Sequence, residues 1–500
     1  MVSKRIAGEF LPCHGYGIPA RKCAVVGAEG AACAQSDLTP TRPSFRGGMP
    51  GAMALSIGVG WCLAALIAAS VCRAASLRAG VAKVDITPPP GQLLYGYSER
   101  RTPAQGTLDP LYARVLVLEA GENRLAWVDL DLGRPFGPES IREIREAARN
   151  SSRISCLLVE ATHTHSGPVV MDAYRGARPA WETAAIGKIE RAISEAAGRL
   201  VEARIGTGYG EAIIGYNRRW VNLDGTVSML WRNLTHIPTF PVDPTVGVLR
   251  IDTAGGRPMA VLVNYACHPV VLGMNLQYSA DFAGVMTRTV EEALGATALC
   301  FFIQGAPGDI NPLARAVADD GPEQLKIAGR GLGESAARIA RSIHTEAEPN
   351  ATLEVAEDEI SFSLRWKPEK FRQGLLADGG PDVFNNYFER IAPVMRLPVV
   401  TILIDKRIAL MTMPGEPFLI FQMNWRDRCP VPDAFFLGYT NGYFGYFPTI
   451  AAAAQGGYGA SNSNTWVEVG AGERMVDHAV TRIYEMLGRL TDAPAEPIDK

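Results

Sequence analysis

The chain has 500 residues, of which 47% are apolar, 20% are charged and 8% are aromatic. This composition can supply a large hydrophobic core, and it excludes a disordered or collagen-like chain. The net charge of -3 arises from 49 Lys and Arg against 52 Asp and Glu, and it gives no electrostatic basis for nucleic-acid binding. The length fits about three domains, or one large α/β domain with insertions.

An uncharged run lies close to the N-terminus. Residues 47–72 carry no charged side chain, and the run is long enough to span a bilayer. Small residues follow at 74–76, of the kind that a signal peptidase accepts. We favour a cleaved export signal, and hence a periplasmic or secreted protein, over a retained membrane anchor formed by 47–72. A buried core helix is a further alternative, and a lipoprotein modified at Cys72 is disfavoured by the bulk of Val71.

Residues 1–46 precede this run and have an irregular sequence. Their basic residues would keep this end cytoplasmic under the positive-inside rule. They are equally explained by a start codon chosen too early, with Met49 or Met53 as the true start. The sequence thus predicts four segments: an extension at 1–46, a signal peptide or anchor at 47–75, a large folded body at 76–492 and a tail at 493–500.

In the body, apolar runs of strand length alternate with amphipathic runs of helical length. Strands are predicted at 112–120, 124–132, 155–163, 246–252 and 259–268, with strand-rich segments at 352–366 and 399–413. Segment 298–309 is predicted as a buried strand that runs into a Gly/Pro loop. Helices are predicted at 138–150, 181–201, 282–295, 323–344 and 472–490, the first with Pro138 at its start. This alternation predicts an α/β (α+β mixed) fold, in which a mixed and largely buried sheet is flanked by helices in one large domain.

Four cysteines lie in this body: Cys156, Cys267, Cys300 and Cys429. The first three lie in apolar, strand-like runs, where a reduced core cysteine is expected. No CxxC motif occurs, so the sequence carries neither a zinc ribbon nor a thioredoxin motif.

Polar motifs follow apolar strands at five places far apart in the sequence. These are His163-Thr164-His165 after LLVEAT, His268-Pro269 after LVNYAC, Asp309 to Pro312 after CFFIQGAPG, Glu416 after ALMTMPG, and Tyr446 after AFFLGYTNGYFG. In open α/β sheets, ligands bind outside the carboxyl ends of the strands. We therefore expect the five segments to converge on one crevice at the strand ends.

The residue types in these segments indicate a metal site. His163 and His165 are two residues apart, so in an extended segment their side chains face the same way. Together with His268 and Glu416 they supply the imidazole and carboxylate ligands that suit zinc, with a position left open for water. The alternatives are histidines that are satisfied by ordinary hydrogen bonds, and a Glu416 that stabilises the start of the following helix.

These motifs also resemble a known family. ATHTHSGP, NYACHP, GDINP, PGE and NGYFGYFPT…GGYGAS, together with KVDITPP at 83–89, look like the N-terminal catalytic domain of neutral/alkaline non-lysosomal ceramidases. The resemblance extends over residues 79–490. It implies that segment 76–492 is a zinc-dependent hydrolase, which uses zinc-activated water to cleave the N-acyl amide bond of ceramide into a sphingoid base and a fatty acid. The expected partner is a small-molecule or lipid amide, with contact to a membrane surface as an option.

The resemblance further implies roles for individual residues. Zinc would be held by His163, His268, Glu416 and Tyr446. The substrate carbonyl would be lined by His165, Arg218 and Tyr458, with His165 as general base or proton donor. Arg219 could replace Arg218, and Tyr443 could replace Tyr446. Asp309 and Asn311 of GDINP complete the set of catalytic candidates.

Two departures from the family pattern favour an alternative substrate. Ceramidases carry a Ser, proposed to act in catalysis, where this chain has Asn311. They also continue into a C-terminal immunoglobulin-like domain, whereas this sequence stops near the end of the catalytic domain. A hydrolase of the same fold that acts on another amide or ester is therefore the main alternative. A non-catalytic binding protein is a further one.

Overall fold

The computed structural model describes residues 76–490, apart from 175, 296, 318 and 380–391. The predicted extension, the signal or anchor segment at 47–75 and the tail at 493–500 lie outside the described residues. Among the described helices, none is both long enough and apolar enough to cross a bilayer.

The described residues contain twenty strands and eight helices. The strands are β1 Arg78–Asp85, β2 Gly106–Thr107, β3 Tyr112–Ala120, β4 Asn123–Leu130, β5 Cys156–Ala161, β6 Val201–Glu211, β7 Gly215–Asn217, β8 Arg219–Val221, β9 Val227–Met229, β10 Thr245–Thr253, β11 Pro258–Tyr265, β12 Gln277–Tyr278, β13 Leu299–Gln304, β14 Ile310–Pro312, β15 Leu353–Ser363, β16 Val394–Ile404, β17 Ile408–Thr412, β18 Glu416–Pro417, β19 Asp433–Leu437 and β20 Tyr446–Phe447. The helices are α1 Pro138–Ser152, α2 Ala180–Gly198, α3 Asp281–Leu294, α4 Gly321–Ser342, α5 Pro368–Gly379, α6 Leu419–Arg428, α7 Ile450–Gln455 and α8 Ala471–Met486.

The largest sheet has eight strands in the order β13-β11-β10-β6-β1-β3-β4-β5. The outer pairs β13–β11 and β4–β5 are parallel, and the pairs between them are antiparallel. Every residue of β5 and β13 is buried, as expected for strands covered on both faces. The predicted α/β (α+β mixed) class, with a mixed sheet and flanking helices, is confirmed.

A second sheet, β15-β16-β17-β19, links the two edges of the first. At the end of β13, Gln304 donates from Nε2 to the Thr162 carbonyl at 3.0 Å and accepts from the Gly438 N–H at 2.9 Å. On the β5 side, the Ala161 N–H donates to the Tyr439 carbonyl at 3.3 Å. The carboxyl ends of β5, β13 and β19 therefore meet, although β5 and β13 lie at opposite edges of the large sheet.

Most predicted elements begin and end within a few residues of the observed ones, but two differ. The segment predicted as strand-rich at 399–413 contains the end of β16 and all of β17. The two strands are antiparallel and are joined by a turn that contains Asp405 and Lys406, both at positive φ. The helix predicted to reach residue 201 ends at Gly198, and Val201 begins the long strand β6. Strand β6 is rich in glycine because α4 packs directly against it: a Cβ on Gly210 would lie 2.8 Å from Ile339 Cδ1.

The three cysteines predicted to be reduced core residues are free and buried. They are Cys156, Cys267 and Cys300, and the fourth, Cys429, is free and half-buried.

Candidate metal centre and active site

His163 lies just beyond β5 and is held in one orientation. Its backbone has a φ of 68°, and its N–H donates to the Leu132 carbonyl at 2.9 Å. Its Nδ1 lies 2.5 Å from the Gly133 carbonyl oxygen, and its ring stacks on that of Tyr439 with centroids 4.0 Å apart. Because a carbonyl oxygen only accepts, Nδ1 carries the proton, and Nε2 is directed into the site.

His268 follows β11 and is oriented in the same way. Its Nδ1 donates to the Ile310 carbonyl oxygen at 3.0 Å, so Nε2 faces the Glu416 carboxylate at 3.3 Å. Burial and the nearby Arg218 guanidinium lower the pKa of His268 to about 4. The ring is therefore neutral at pH 7, and its Nε2 presents a lone pair to Glu416.

His165 completes a cluster of three imidazoles. Its Nε2 lies 3.2 Å from His163 Nε2, and one ligand atom from each of His163, His165 and His268 lies within 4.8 Å of the others. Burial lowers the pKa of His165 well below its usual value, so this ring is also neutral at pH 7. Three imidazoles grouped in this way, two of them buried and that of His165 half-buried, could bind a metal ion.

Glu416, at the start of β18, connects the histidines to the aromatic side of the site. Its Oε2 lies 3.3 Å from His268 Nε2 and 3.5 Å from His163 Nε2, and its Oε1 accepts from the Tyr443 hydroxyl at 2.5 Å. A hydrogen bond accepted from a tyrosine hydroxyl favours the charged form of a carboxyl group, whose ordinary pKa is about 4. Glu416 is therefore a carboxylate.

The donor set fits a divalent cation. Nε2 of His163 and Nε2 of His268 both present lone pairs towards the anionic Glu416 Oε2, at 3.5 and 3.3 Å. Acceptors that face one another at these distances repel, and a cation between them converts the repulsion into attraction. Imidazole nitrogens and a carboxylate oxygen are ligands that zinc prefers.

Tyr446 is placed beside Glu416 by strand pairing. Strands β18 and β20 are parallel, with Glu416 opposite Tyr446. The Tyr446 hydroxyl accepts from Arg218 Nη2 at 3.1 Å. Burial and the neighbouring Glu416 raise the pKa of this tyrosine well above its usual value, while Arg218 favours the phenolate.

Arg218 is a buried cation that joins two parts of the site. Besides Tyr446, it donates to the Gly308 carbonyl at 2.7 Å and to Asn311 Oδ1 at 3.3 Å. Its guanidinium lies 5.3 Å from the centroid of the Tyr458 ring, and its buried Nε has no hydrogen-bond partner among the described residues.

The remaining sequence-predicted residues divide between the site and its support. Tyr458 packs edge-on against Tyr446, with centroids 5.5 Å apart, and its hydroxyl accepts from Asn464. Asp309 instead accepts from the Leu419 N–H at the start of α6 and from Asn217 Nδ2, both at 2.8 Å. Its carboxylate thus holds the loop and the helix together and is not directed at the histidines.

The two alternatives named from the sequence have different positions. Arg219 is directed away from the histidines, towards the Gly456 and Ala452 carbonyls at 2.8 and 3.3 Å. Tyr443 does not replace Tyr446, because both tyrosines lie in the site. The Tyr443 hydroxyl donates to Glu416, and the Tyr446 hydroxyl accepts from Arg218.

The chain is similar to known proteins in both sequence and fold. Residues 77–324 match the family model described as neutral/alkaline non-lysosomal ceramidase, N-terminal. The predicted family resemblance is confirmed. Two similar solved structures are a neutral ceramidase from Pseudomonas aeruginosa and a ceramidase complexed with C2, each with 19% identity, a TM-score of 0.64, and coverage of 85% of this chain and 77% of the other. At this identity the likeness to them shows the fold alone, and no curated protein matches the chain.

The ceramidase family implies a hydrolase. His163, His165, Arg218 and His268 lie inside the matched segment 77–324. Asp309 and Asn311 also lie inside it. Glu416, Tyr446 and Tyr458 come later in the chain, and the pairing of β18 with β20 places Glu416 opposite Tyr446.

Four residues around the histidines were missed in the sequence. The Tyr95 ring lies edge-on to His163 and His165, with centroids 5.8 and 5.7 Å away, and the Tyr97 ring lies 5.2 Å from that of His165. Arg100 donates to the carbonyls of Tyr95 and His165, each at 2.5 Å, and Tyr439 stacks on His163. The one sequence signal was Gly96 between two tyrosines: at a φ of 102°, it leaves no room for a Cβ, which would lie 2.2 Å from His165 Nδ1.

Proposed function

We propose that the protein is a zinc-dependent hydrolase that cleaves the N-acyl amide bond of ceramide, releasing a sphingoid base and a fatty acid. The observation that supports the metal site is that Nε2 of His163 and Nε2 of His268 both face the Glu416 carboxylate. The proposed ligands are these three residues and Tyr446. Zinc in such a site supplies Lewis-acid chemistry, polarising a carbonyl oxygen and making hydroxide available near neutral pH.

The residues around the ligands are suited to an acyl-transfer reaction. A tetrahedral centre at the substrate carbonyl develops negative charge, which needs hydrogen-bond donors held in place beforehand. Arg218 supplies a buried N–H, at Nε, that has no other partner among the described residues. Its remaining nitrogens are held by Gly308, Asn311 and Tyr446, so the donor needs little reorganisation during the reaction.

His165 is proposed to move the proton to the leaving nitrogen. In amide hydrolysis the amine leaves only when its nitrogen has been protonated. A positioned imidazole is the commonest group for transferring that proton. Its backbone N–H donates to the Pro269 carbonyl at 3.2 Å, and its Nδ1 has no partner within the described residues. The backbone of His165 is thus held in place, and its Nδ1 makes no hydrogen bond within the described residues.

Asn311 supports a second candidate, a hydrolase of the same fold with another amide or ester substrate. The GDINP motif resembles a segment in which ceramidases carry a Ser at the position of Asn311. Here its Oδ1 accepts from Arg218, so it serves the guanidinium that we assign to the oxyanion. A covalent acyl-enzyme at this position is not expected, because a carboxamide is a poor nucleophile.

A substrate panel tests this proposal. Purified protein is incubated with ceramides of short and long acyl chain, with N-acyl amino acids and with simple esters, and the released amine or acid is quantified. We expect ceramides to be cleaved fastest, and hydrolysis to stop when a chelator removes the metal. Turnover of esters or N-acyl amino acids alone would favour the second candidate, and full activity without metal would contradict the zinc site.

Export is proposed from the sequence of 47–75. N-terminal sequencing of the protein recovered outside the cytoplasm should find a start near Ser76. An intact cytosolic chain that retains residues 1–75 would contradict it.

A further inference from the structure

Residues 219–240, here called the flap, leave the site and return to it. The flap is fastened at its base by Asn217. The Asn217 N–H donates to Thr239 Oγ1 at 2.8 Å, and its Nδ2 donates to the Pro241 carbonyl at 3.1 Å. Within the flap, strands β8 and β9 pair as a hairpin, with Trp220 opposite Ser228. Both ends of the flap are thus held next to Arg218.

The flap exposes large apolar side chains to solvent. Leu223 lies in the turn of the hairpin and is fully exposed, at 110% relative accessibility. The other main contributors are Trp220, Trp231, Leu234, Ile237 and Phe240. Its net charge is low, because the exposed Asp224 and Arg232 carry opposite charges. A concentration of apolar surface of this kind in one segment marks an interaction site.

The exposed flap is continuous with the proposed active site. The Trp231 ring packs edge-on against Tyr458, with centroids 5.2 Å apart. It also lies 5.5 Å from the Arg218 guanidinium. Trp231 therefore contacts the proposed oxyanion donor Arg218 and is itself part of the exposed apolar surface.

We propose that the flap inserts its apolar side chains into the interfacial layer of a lipid bilayer, and so holds the active site beside membrane-borne substrate. This inference rests on the proposed function only for the nature of the substrate. Tryptophan is enriched at the membrane–water boundary, because its ring is apolar while its N–H remains hydrated. The low net charge of the flap suits a lipid surface without net charge.

A second copy of the chain is a less suitable occupant. A stable dimer buries about 800 Å² on each partner, with about 20 to 30 residues a side. The flap instead presents a hairpin of three paired residues a strand, whose fully exposed leucine lies at its turn. A single inserted element of this kind suits a fluid lipid layer better than a flat protein face.

Hydrogen exchange on the full chain, with and without phosphatidylcholine vesicles, tests the proposal. Because the measurement resolves individual peptides, binding through residues 47–72 would not be mistaken for binding through the flap. We expect vesicles to slow exchange in peptides that cover 219–240. No change in these peptides would overturn the proposal.

Vesicle sedimentation of two variants gives a second test. Leu223→Ser removes one fully exposed leucine and should lower the partition onto vesicles by about tenfold. The matched control is Ile327→Ser, which removes an exposed apolar side chain from α4 and should leave partition unchanged. Equal partition of the two variants would contradict the proposal. So would a dimer of the wild-type protein that Leu223→Ser converts to a monomer, because the flap would then bind a second copy.

The proposed function is tested separately. Leu223→Ser should cleave a water-soluble short-chain amide at the wild-type rate and lose activity only on vesicle-borne substrate. If the wild-type protein cleaves neither amide but still shows vesicle protection of 219–240, the function is wrong and the lipid contact stands.

Discussion

Tyr443→Phe tests whether Glu416 acts as a metal ligand that is oriented by its neighbours. The hydroxyl of Tyr443 donates to Glu416 Oε1 at 2.5 Å, so its removal leaves that oxygen without this donor. The ring should stay in place, because the Arg134 guanidinium lies 4.8 Å from its centroid and Trp466 packs edge-on at 6.0 Å. The variant therefore removes one hydrogen bond and little packing.

The expected magnitude follows from the charge of the acceptor. A hydrogen bond to a charged group contributes about 1.5–3 kcal/mol. Outer partners of metal ligands typically change metal affinity by about 10- to 100-fold, which is the same free energy on the scale of 1.4 kcal/mol per tenfold. We expect the zinc affinity of Tyr443→Phe to fall within that range, with reduced activity that excess zinc partly restores.

The assay is a competitive zinc titration of metal-stripped protein against a chelator of known affinity. Tyr484→Phe on α8 is the matched control, since it removes a tyrosine hydroxyl from another part of the chain. Unchanged zinc affinity in Tyr443→Phe would refute the reasoning. It would mean that Glu416 is either not a ligand or not oriented by this hydroxyl.

Three further predictions concern other parts of the molecule. His163→Ala and Glu416→Ala should each abolish hydrolysis and lower the zinc content of purified protein, while circular dichroism remains that of the folded chain. Asn311→Ala should slow turnover by about 10- to 100-fold, because the Arg218 guanidinium loses one hydrogen-bond acceptor that fixes a proposed oxyanion donor. Asn311→Ser restores an acceptor oxygen and should recover much of the rate, and an unaffected Asn311→Ala would contradict this role. Burial raises the pKa of Asp129 to about 8, above its value of about 4 in an unfolded chain. The folded state then retains the proton that the unfolded chain loses, so the free energy of unfolding should fall as pH rises from about 4 to about 8. Urea titrations should show this slope flattened in Asp129→Asn.

Local sequence patterns were sufficient for most of the elements and for the chemical type of the site. The helix predicted at 138–150 is observed at Pro138–Ser152, because its apolar period and the proline at its start depend only on neighbouring residues. Polar residues that interrupt apolar strands mark strand ends in the same local way. His163, His268 and Glu416 were therefore identifiable as a group from the sequence.

The sequence by itself thus determined the fold class, the helices and the residue types available for metal binding. Only the tertiary structure decided which side chains share one site. Strands β5 and β13 are at opposite edges of the large sheet, and their ends meet through hydrogen bonds to Thr162 and Gly438 that no local pattern encodes. Likewise, the sequence alone does not distinguish the role of Arg218 from that of Arg219. Arg218 reaches Tyr446, whereas Arg219 caps the carbonyls at the end of α7, because the partners of a long side chain are set by distant segments packed around it.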